Sequence, residues 1–376
     1  MGNQRLRRLR SFAVPGPGEL QASGGAPLLD LASNDTLGLL GHPALNAAAV
    51  DAINKGGVGS GASRLVSGSR PVHEALEAAL AQWLGRERVL LFPSGFQANI
   101  AALALLADRH TLVLADRRIH HSLLVGVQAC GARLQRFPHN DLEAMEERLS
   151  RCRRDRPERR VVVLSESLFS MEGSSPDAAS LAACCQRHNA ALVLDEAHAL
   201  GVMGPAGRGL GYGIEGVSLL CGTFGKAFAS GGAFLATDSC LGEQLLQTSG
   251  AFRYTTALAP PLAAAALAAL EIIQSQEGEQ RRQQVLANAK QWRAAIETAG
   301  WPKPVGHGPI LAIKLGDDEQ ALAAAAALEA AGLLVVAIRP PTVPEGEAML
   351  RISLRPGLAS DALGRVLKAL GIGPRP

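Results

Sequence analysis

The sequence predicts an α/β fold in which a large domain is built on a doubly wound, mainly parallel sheet and a smaller α+β domain follows it. Helix-like and strand-like segments alternate from Pro71 to Lys226. Several strand-like segments are continuous apolar runs, such as 191–194 and 217–221, which is typical of strands buried on both faces. After Pro260 the pattern changes to a long helical segment and a second, shorter series of strands and helices.

The composition is that of a globular protein and argues against several classes of function. The 376 residues are 47% hydrophobic and 19% charged, which suffices for two or three domains. The formal net charge of +3 argues against a nucleic-acid partner bound through its phosphates. The six cysteines show no C-x-x-C pair and no metal-ligand spacing, so we expect reduced thiols and no metal. The N-terminus has no apolar signal core, and 262–273 is too short to span a bilayer, so we expect a soluble, cytoplasmic protein.

The N-terminal part is expected to contain few regular elements. Residues 1–30 are basic and then rich in Pro and Gly, which is typical of a frayed terminus. A short strand ending in Asx-turn chemistry is predicted over 29–35, and a helix over 43–54. The glycine-rich run 56–68 is too flexible to pack as an element by itself. It is a linker or a backbone that approaches a ligand closely, and its position before the large domain favours the second interpretation.

The large domain then opens with a helix over 73–84 and a strand over 89–92. The Ser-Gly turn within 93–99 leads directly into a helix predicted over 100–107. Such a turn presents backbone N–H groups at the positive end of the helix dipole, so we expect it to bind an anion such as phosphate. An ordinary helix N-cap is the alternative.

Two further strands are predicted over 111–115 and 161–164. The first is followed by the adjacent residues His120 and His121. A histidine just beyond a strand end can stack on a pyridine ring, and the spacing alone leaves the choice between the two open.

The polar groups that carry chemistry follow two successive buried strands. Asp195 and His198 come after one, and Thr223 and Lys226 come after the next. Ligands of open α/β sheets bind at the carboxyl ends of the strands, so these four side chains are expected to converge. The set suits pyridoxal phosphate (PLP). The lysine can bind its aldehyde, the aspartate its ring nitrogen, the histidine its phenolic oxygen and the threonine its phosphate.

A nucleotide hydrolase is the alternative, because DEAH also holds magnesium in such enzymes. A phosphate loop needs four residues between its glycines and a hydroxyl after its lysine. Here two residues separate Gly222 from Gly225, and Ala227 takes the place of the hydroxyl. The loop also follows the acidic strand instead of preceding it. The sequence therefore favours PLP.

The C-terminal part is predicted to form the small domain. After the helical segment, which ends near Gly300, we expect strands over 310–315, 333–338 and 349–354, a helix over 319–331, and a closing helix. A proline-stiffened loop over 339–346 can face the cofactor cleft. The predicted limits are 1–42 for an N-terminal segment that contributes to the substrate site, 43–272 for the large PLP domain and 273–376 for the small domain.

Nearly end to end, the chain resembles the α-oxoamine synthases, which are PLP enzymes of the aspartate-aminotransferase-like fold (fold type I). The motifs that carry the resemblance are GSGASRLVSG, FPSGFQAN, ADRRIHHSLL, SLFSMEG, DEAHALGVMGPAGRG, TFGKAF and AIRPPTVPEG. The last motif separates the family member that joins L-alanine to a pimeloyl thioester, in biotin synthesis, from its sister enzymes. The chain departs from the family pattern at Thr36, where tyrosine is usual, and its N-terminal extension is short.

The resemblance implies a decarboxylative condensation and assigns the cofactor contacts. Lys226 holds PLP covalently and acts as the base, Asp195 pairs with the ring nitrogen, and His120 is the stacking histidine. The remaining implied contacts are Ser170 and His198 to the phenolic oxygen, Thr223 with the backbone of Gly95 and Phe96 to the phosphate, and Thr255 or Thr256 to the phosphate from a second subunit. The last contact implies a homodimer with shared active sites.

The resemblance also implies the substrate contacts. Arg351 and Asn34 bind the amino-acid carboxylate, with His120 close by, and Thr342 lies in the acyl pocket. An N-terminal arginine meets the far carboxylate of the pimeloyl chain: Arg10, or else Arg7 or Arg8. Whether the acyl carrier is coenzyme A or an acyl carrier protein stays open. Alternatives are a sister enzyme, such as one that joins glycine to acetyl-CoA, and a PLP-binding regulator without turnover.

Overall fold

The computed structural model describes residues 5–371 and residue 373, which form two compact units. Unit 1 contains the residues up to 40, residues 170–174 and the residues from 280 onward. Unit 2 contains residues 41–169 and 175–279. The segment 1–42 and the C-terminal domain, which the sequence suggests as separate parts, thus belong largely to the same unit.

Unit 1 begins with three short antiparallel strands: β1 (Phe12–Ala13), β2 (Glu19–Ala22) and β3 (Leu28–Asp30). The predicted Asx turn follows β3 directly. One carboxylate oxygen of Asp30 accepts hydrogen bonds from the backbone N–H groups of Ala32 and Ser33. This turn ends the strand, because the side chain replaces the partner that a continuing strand would supply.

Unit 2 alternates helices and strands, as the sequence periodicity predicts. In chain order they are α1 (Pro43–Gly56), α2 (Pro71–Leu84), β4 (Arg88–Phe92), α3 (Gly95–Leu106), β5 (Leu112–Asp116), α4 (His121–Cys130), β6 (Arg133–Phe137), α5 (Leu142–Asp155), β7 (Val161–Glu166), α6 (Ala178–Arg187), β8 (Ala191–Asp195), β9 (Val217–Thr223), β10 (Ala233–Thr237), α7 (Ser239–Thr248), α8 (Gly250–Arg253) and α9 (Pro260–Gln274).

The strands of unit 2 form one seven-stranded sheet in the order β4-β10-β9-β8-β7-β5-β6. Only β10 runs antiparallel to its neighbours, so the predicted mainly parallel sheet is confirmed. The apolar strands are buried on both faces. Val193 packs into one hydrophobic core, whereas Leu192 and Leu194 pack into the other. This alternation places helices on both sides of the sheet, as in a doubly wound fold.

The glycine-rich run 56–68 is more ordered than predicted. Arg64–Gly68 form one π-helical turn, and the Arg64 guanidinium makes two hydrogen bonds, of 2.8 and 3.0 Å, to the carboxylate of Glu77. The Ser60 hydroxyl also donates to the carbonyl of Leu258 at 2.8 Å. These polar contacts compensate for the missing side-chain packing, so the expectation that the run forms no element was wrong.

The long helical segment after Pro260 is two helices, α9 and α10 (Gln276–Thr298), instead of the one predicted. Ser275 between them has an extended backbone conformation. Its hydroxyl donates to the carbonyl of Ile272 and accepts from the N–H of Gly278. This local bonding of the serine hydroxyl interrupts the helix.

Unit 1 continues with β11 (Ile310–Gly316), α11 (Asp318–Ala330), β12 (Leu333–Leu334), β13 (Val336–Ile338), β14 (Ala348–Ser353) and α12 (Ala362–Leu370). The strand predicted over 333–338 is split between two sheets. β12 pairs in parallel with β3, which joins the N-terminal strands to the C-terminal part, whereas β13 pairs with β14. Within the described part of the chain, no helix combines the length and apolar character needed to cross a membrane.

Candidate active site

Asp195 lies at the carboxyl edge of the unit 2 sheet. It is the last residue of β8 and stands in register with Glu166 of β7 and Cys221 of β9. Its side chain is buried. One carboxylate oxygen accepts from the N–H of Ala197 at 2.9 Å, and the other accepts from the side-chain amide of Asn99 at 2.9 Å. Contacts to both oxygens fix the orientation of the carboxylate.

His120 joins the same hydrogen-bond network through Asn99. The amide nitrogen of Asn99 is also 2.9 Å from the Ser122 hydroxyl, and this hydroxyl is 2.7 Å from Nδ1 of His120. His120 is the N-cap of α4, whereas His121 is the first residue of that helix and takes no part in the network. His120 is exposed to solvent. A ring that is fixed at Nδ1 and accessible to solvent is suited to cover a flat ligand.

The charges at this edge act on one another. Desolvation lowers the pKa of His120, Asp195 opposes that change, and Lys226 and His121 reinforce it. His120 is therefore neutral at pH 7. The half-buried Lys226 thus stands within electrostatic range of both the imidazole and the network that contains Asp195.

The N-terminus of α3 forms one side of an anion site. Ser94 caps the helix by accepting from the N–H of Gln97 at 3.3 Å. Within residues 5–371, the backbone N–H groups of Gly95 and Phe96 make no hydrogen bond. Two free N–H groups at the positive end of a twelve-residue helix are the donors that a phosphate group needs.

Thr223 forms the other side of the anion site. A Cβ atom on Gly95 would lie 3.8 Å from the Thr223 hydroxyl oxygen, so this hydroxyl stands beside the start of α3. The hydroxyl contacts the carbonyl of Gly232 at 3.1 Å and the N–H of Gly225 at 3.3 Å. Lys226 comes three residues later. The end of β9 thus brings the predicted phosphate group and the predicted covalent lysine to the same edge.

The residues at this edge fit PLP as a set. Asp195 offers an oriented acceptor for a protonated ring nitrogen, His120 a neutral ring for stacking, and Lys226 an amine for the aldehyde. The N–H groups of α3 and the Thr223 hydroxyl offer donors for the phosphate. His198 is buried in the turn after β8, where the prediction places a contact to the phenolic oxygen.

Thr255 and Thr256 follow α8 in unit 2. Thr255 is half-buried, Thr256 is exposed, and the only hydrogen bond of the Thr255 hydroxyl within the described residues is a long one to the carbonyl of Thr256. Both hydroxyls are therefore open to a ligand or another subunit.

In unit 1 the structure brings together three predicted site residues. Arg351 of β14 is buried, and its guanidinium donates to the carbonyl of Ser170 at 2.6 Å, the hydroxyl of Ser353 at 2.7 Å and the side-chain carbonyl of Asn34 at 2.9 Å. Burial lowers the pKa of Arg351 to about 10, so it stays charged at pH 7. All three partners are neutral, and this buried cation is suited to an anionic ligand.

The N-terminal arginines of unit 1 have different partners. Arg10 makes two hydrogen bonds of 2.7 Å to the carboxylate of Glu329. Arg7 instead approaches the loop that contains Thr342, with 3.3 Å from its guanidinium to the Thr342 hydroxyl. Arg8 makes no hydrogen bond or ion pair within the described residues. Arg10, the preferred arginine in the sequence prediction, thus already has a carboxylate partner.

Sequence reasoning missed Asn99, Ser122 and Glu196. Asn99 is one of two polar residues in the otherwise apolar helix α3, and Ser122 follows the histidine pair. Glu196 is fully buried beside Asp195 and accepts from the Ser167 hydroxyl and from two backbone N–H groups, at 210 and 211. Burial raises the pKa of Glu196 to about 7. In the sequence, Glu196 is recognisable as a second acidic residue directly after Asp195.

Comparison with known proteins identifies the family. Residues 26–370 match the family described as aminotransferase class I and II. The chain is 42% identical to 8-amino-7-oxononanoate synthase from Chromohalobacter salexigens over 92% of its length and 89% of the relative. It is also 42% identical to the synthase of the same name from Anaeromyxobacter dehalogenans, over 93% of this chain and 87% of the relative.

Solved structures agree with this match. Serine palmitoyltransferase from S. paucimobilis, with a bound PLP–myriocin aldimine, has a TM-score of 0.90 at 27% identity and covers 96% of this chain and 91% of its own. 8-Amino-7-oxononanoate synthase from Francisella tularensis has a TM-score of 0.78 at 26% identity and covers 91% and 96%. The predicted fold type I and the predicted cofactor, PLP, are confirmed. The chain belongs to the 8-amino-7-oxononanoate synthase family of PLP-dependent enzymes.

Proposed function

We propose that the protein condenses L-alanine with a pimeloyl thioester to give 8-amino-7-oxononanoate, CO2 and the free thiol. The observation that carries the proposal is the edge formed by Asp195, His120 and Lys226 in a chain 42% identical to named synthases. The acyl carrier is coenzyme A or an acyl carrier protein.

The cofactor and the residues of unit 2 divide the chemistry between them. When bound, PLP supplies an electron sink for negative charge at the Cα atom of alanine. Asp195 would keep the ring nitrogen protonated, and His120 would stack on the ring. Lys226 would hold the cofactor, and its Nζ atom would take the Cα proton of alanine. The Thr223 hydroxyl and the start of α3 anchor the phosphate.

The carboxylate of alanine is bound by Arg351 with Asn34. The support is the burial of a guanidinium whose protein partners are neutral acceptors. A carboxylate ligand would supply the opposite charge and form charge-assisted hydrogen bonds. Ser170 and His198 complete the predicted contacts by bonding the phenolic oxygen of the cofactor.

An N-terminal arginine binds the far carboxylate of the pimeloyl chain. Arg10 is engaged by Glu329, whereas Arg7 contacts Thr342 in the predicted acyl-binding loop. Arg7 can turn to a ligand without leaving a carboxylate unpaired, and this favours Arg7 over Arg10. Arg8 is the remaining alternative.

The protein acts as a homodimer in which Thr255 or Thr256 contacts the phosphate in the partner's site. The support is an exposed apolar surface in unit 2 that includes Val58, Val66 and Tyr254, which are 71%, 79% and 81% exposed. The two segments that carry these residues are joined by hydrogen bonds, including one from the N–H of Ala257 to the carbonyl of Ala62 at 3.0 Å. Apolar surface of this kind is typical of a protein interface.

A cytoplasmic location is part of the proposal. All six cysteines are free thiols, and four of them are buried. Unpaired buried thiols are usual in proteins of reducing compartments.

The test is a comparison of substrates with the purified, PLP-loaded protein. Alanine, glycine and serine are each combined with pimeloyl-CoA, acetyl-CoA and palmitoyl-CoA, and kcat/KM is measured for each pair. We expect alanine with pimeloyl-CoA to exceed the pairs with acetyl-CoA or palmitoyl-CoA by at least about tenfold, because these two thioesters lack the far carboxylate and lose a charge pair worth about 1.5–3 kcal/mol. A preference for glycine with acetyl-CoA would identify a sister activity, and no turnover with any thioester would indicate a regulator. Lys226→Ala is the inactive control.

A further inference from the structure

One hydrogen-bonded chain links the two predicted ring contacts of unit 2. It runs from Asp195 through Asn99 and Ser122 to His120, with distances of 2.9, 2.9 and 2.7 Å. Asn99 and Ser122 are completely or almost completely buried, so water does not compete for these bonds. Neither of the two middle residues has a role in the function proposed above.

The ionised state of Asp195 determines which groups donate in the hydrogen bonds of Asn99. An ionised carboxylate only accepts hydrogen bonds, so the amide nitrogen, and not the amide oxygen, must face Asp195. The same nitrogen lies against the Ser122 hydroxyl, and Asn99 therefore donates in both directions. Its amide oxygen is buried without a partner among the described residues. An unpaired buried oxygen is costly, which indicates that the placement of the two N–H groups matters more than full pairing.

The hydrogen bonds keep the same donor-to-acceptor direction from Ser122 to His120. Because the Ser122 oxygen accepts from Asn99, its own proton is free for Nδ1 of His120. The backbone N–H of Ser122 also points to Nδ1, at 3.4 Å. A nitrogen that accepts from both groups carries no proton, so the proton of the neutral imidazole is on Nε2.

We propose that Asn99 and Ser122 are positioning residues that hold His120 as the neutral tautomer protonated at Nε2 and that lock the carboxylate of Asp195 in one orientation. The inference rests on the proposed function for the roles of Asp195 and His120. A neutral His120 matters because of the charge on the cofactor ring. Asp195 keeps the cofactor ring protonated and positive, and a positive imidazolium stacked on that ring would oppose this protonation. A neutral ring does not.

Other charges around His120 act on the same equilibrium. Asp195 of β8 favours the imidazolium, while Lys226 from the loop after β9 and His121 of α4 oppose it. Asn99, from α3, is uncharged. Asp195 thus favours protonation of His120, and the Ser122 hydroxyl, an uncharged donor to Nδ1, favours the neutral ring instead.

Nitrogen-15 NMR of labelled histidine in the full-length, PLP-loaded protein tests the proposal. We expect the wild-type His120 to be protonated at Nε2. In Ser122→Ala, Nδ1 loses the hydroxyl that donates to it and stabilises the neutral imidazole. The pKa of His120 should therefore rise by about 0.5–1, and both neutral tautomers should be populated. Asn99→Ala frees the serine hydroxyl to accept from Nδ1, and the Nδ1-protonated tautomer should appear. We also expect kcat to fall about ten- to a hundredfold in both variants with little change in the KM for alanine.

Thr237→Val is the matched control, since it removes a buried hydroxyl that donates to the carbonyl of Ser218 and leaves the site intact. It should change neither the tautomer nor the pKa of His120. An unchanged or lowered pKa in Ser122→Ala, with the tautomer retained, would overturn the proposal. NMR needs no turnover, and it can be repeated on the full chain without PLP if a variant binds the cofactor poorly. Failure of the proposed function would instead appear as no turnover in the wild-type substrate comparison, with the NMR result intact.

Discussion

At the scale of single residues, buried carboxylates at strand ends differ in what they contact. Asp116 ends β5 as Asp195 ends β8, and both are buried. Asp116 accepts from the N–H groups of Arg118 and Asn140 and contacts a ring nitrogen of His139, so it fastens the loops around it. Asp195 is oriented by an amide that belongs to the His120 network. This contrast makes Asp116 a useful control for Asp195.

Asp195→Asn should slow the exchange of the alanine Cα proton. The variant keeps the size of the side chain and loses the charge that holds the cofactor ring protonated. An oriented electrostatic partner of this kind contributes roughly 3–5 kcal/mol, or about a hundred- to several thousandfold in rate. Exchange into deuterated water is measured by NMR on PLP-loaded protein. Asp116→Asn should lower stability but leave exchange per folded molecule unchanged. Wild-type exchange in Asp195→Asn would remove the assigned role.

At the scale of elements, the N-terminal segment is attached to the C-terminal part of unit 1 by arginines. Besides Arg7 and Arg10, Arg5 bonds the carboxylates of Asp318 and Glu345. Exposed ion pairs contribute little to stability individually. Because Arg5 and Arg10 already have carboxylate partners, we attribute a binding role to Arg7, which contacts Thr342.

Arg7→Gln should raise the KM for pimeloyl-CoA by about tenfold or more, while the KM for alanine changes little. The reason is the loss of a charge-assisted bond to the far carboxylate, worth about 1.5–3 kcal/mol. Arg10→Gln, which removes the pair with Glu329 and the contact with the Phe12 ring, is the matched control. Steady-state kinetics with pimeloyl-CoA and an uncharged acyl-CoA of equal length measures the effect. If Arg10→Gln reduces the discrimination between these substrates and Arg7→Gln does not, Arg10 binds the carboxylate, as the sequence first suggests.

Glu196 connects three elements at the site edge, and its titration should be visible in stability. Its folded pKa, about 7, is above the ordinary value of 4.5. Between these values the folded protein keeps a proton that the unfolded chain releases, so the free energy of unfolding falls as the pH rises through this window and levels off above it. Across the whole window this decrease in the free energy of unfolding amounts to about 3 kcal/mol.

Urea unfolding of wild type and Glu196→Gln at pH 5 and pH 8 isolates this contribution. The wild type should lose about 2–3 kcal/mol more than the variant between the two pH values. Equal losses in the two proteins would mean that Glu196 is already ionised at pH 5, held so by the Ser167 hydroxyl and the backbone N–H groups.

At the scale of the whole molecule, association should determine activity. Val66→Glu places a charge on the exposed apolar surface of unit 2 and should make the protein monomeric, with loss of turnover, because burying an unpaired charge in the proposed dimer interface is costly. Light scattering at micromolar concentration measures the mass. Val305→Glu, at a 49% exposed valine of unit 1, is the matched control and should remain dimeric. A wild-type protein that is monomeric and fully active would rule out shared sites.

The sequence predicted those features that depend on local pattern. The end of each apolar run marked a strand end, and this is why Asp195 and Lys226 were found at one edge of the sheet. The Asn99–Ser122 pair was not found, because it depends on side-chain geometry between helices that are distant in sequence. β6 was also missed. It is an edge strand with two arginines among five residues, RLQRF, and edge strands carry charge that hides their strand pattern.

The reaction itself is tested most directly by following the carboxyl carbon of alanine. L-Alanine labelled with carbon-13 in its carboxyl group is incubated with pimeloyl-CoA and the PLP-loaded protein, and CO2, free thiol and product are quantified by mass spectrometry. We predict equal molar amounts of labelled CO2, free coenzyme A and unlabelled 8-amino-7-oxononanoate. A product that keeps the label, labelled CO2 without release of the thiol, or no product at all would contradict decarboxylative condensation by this protein.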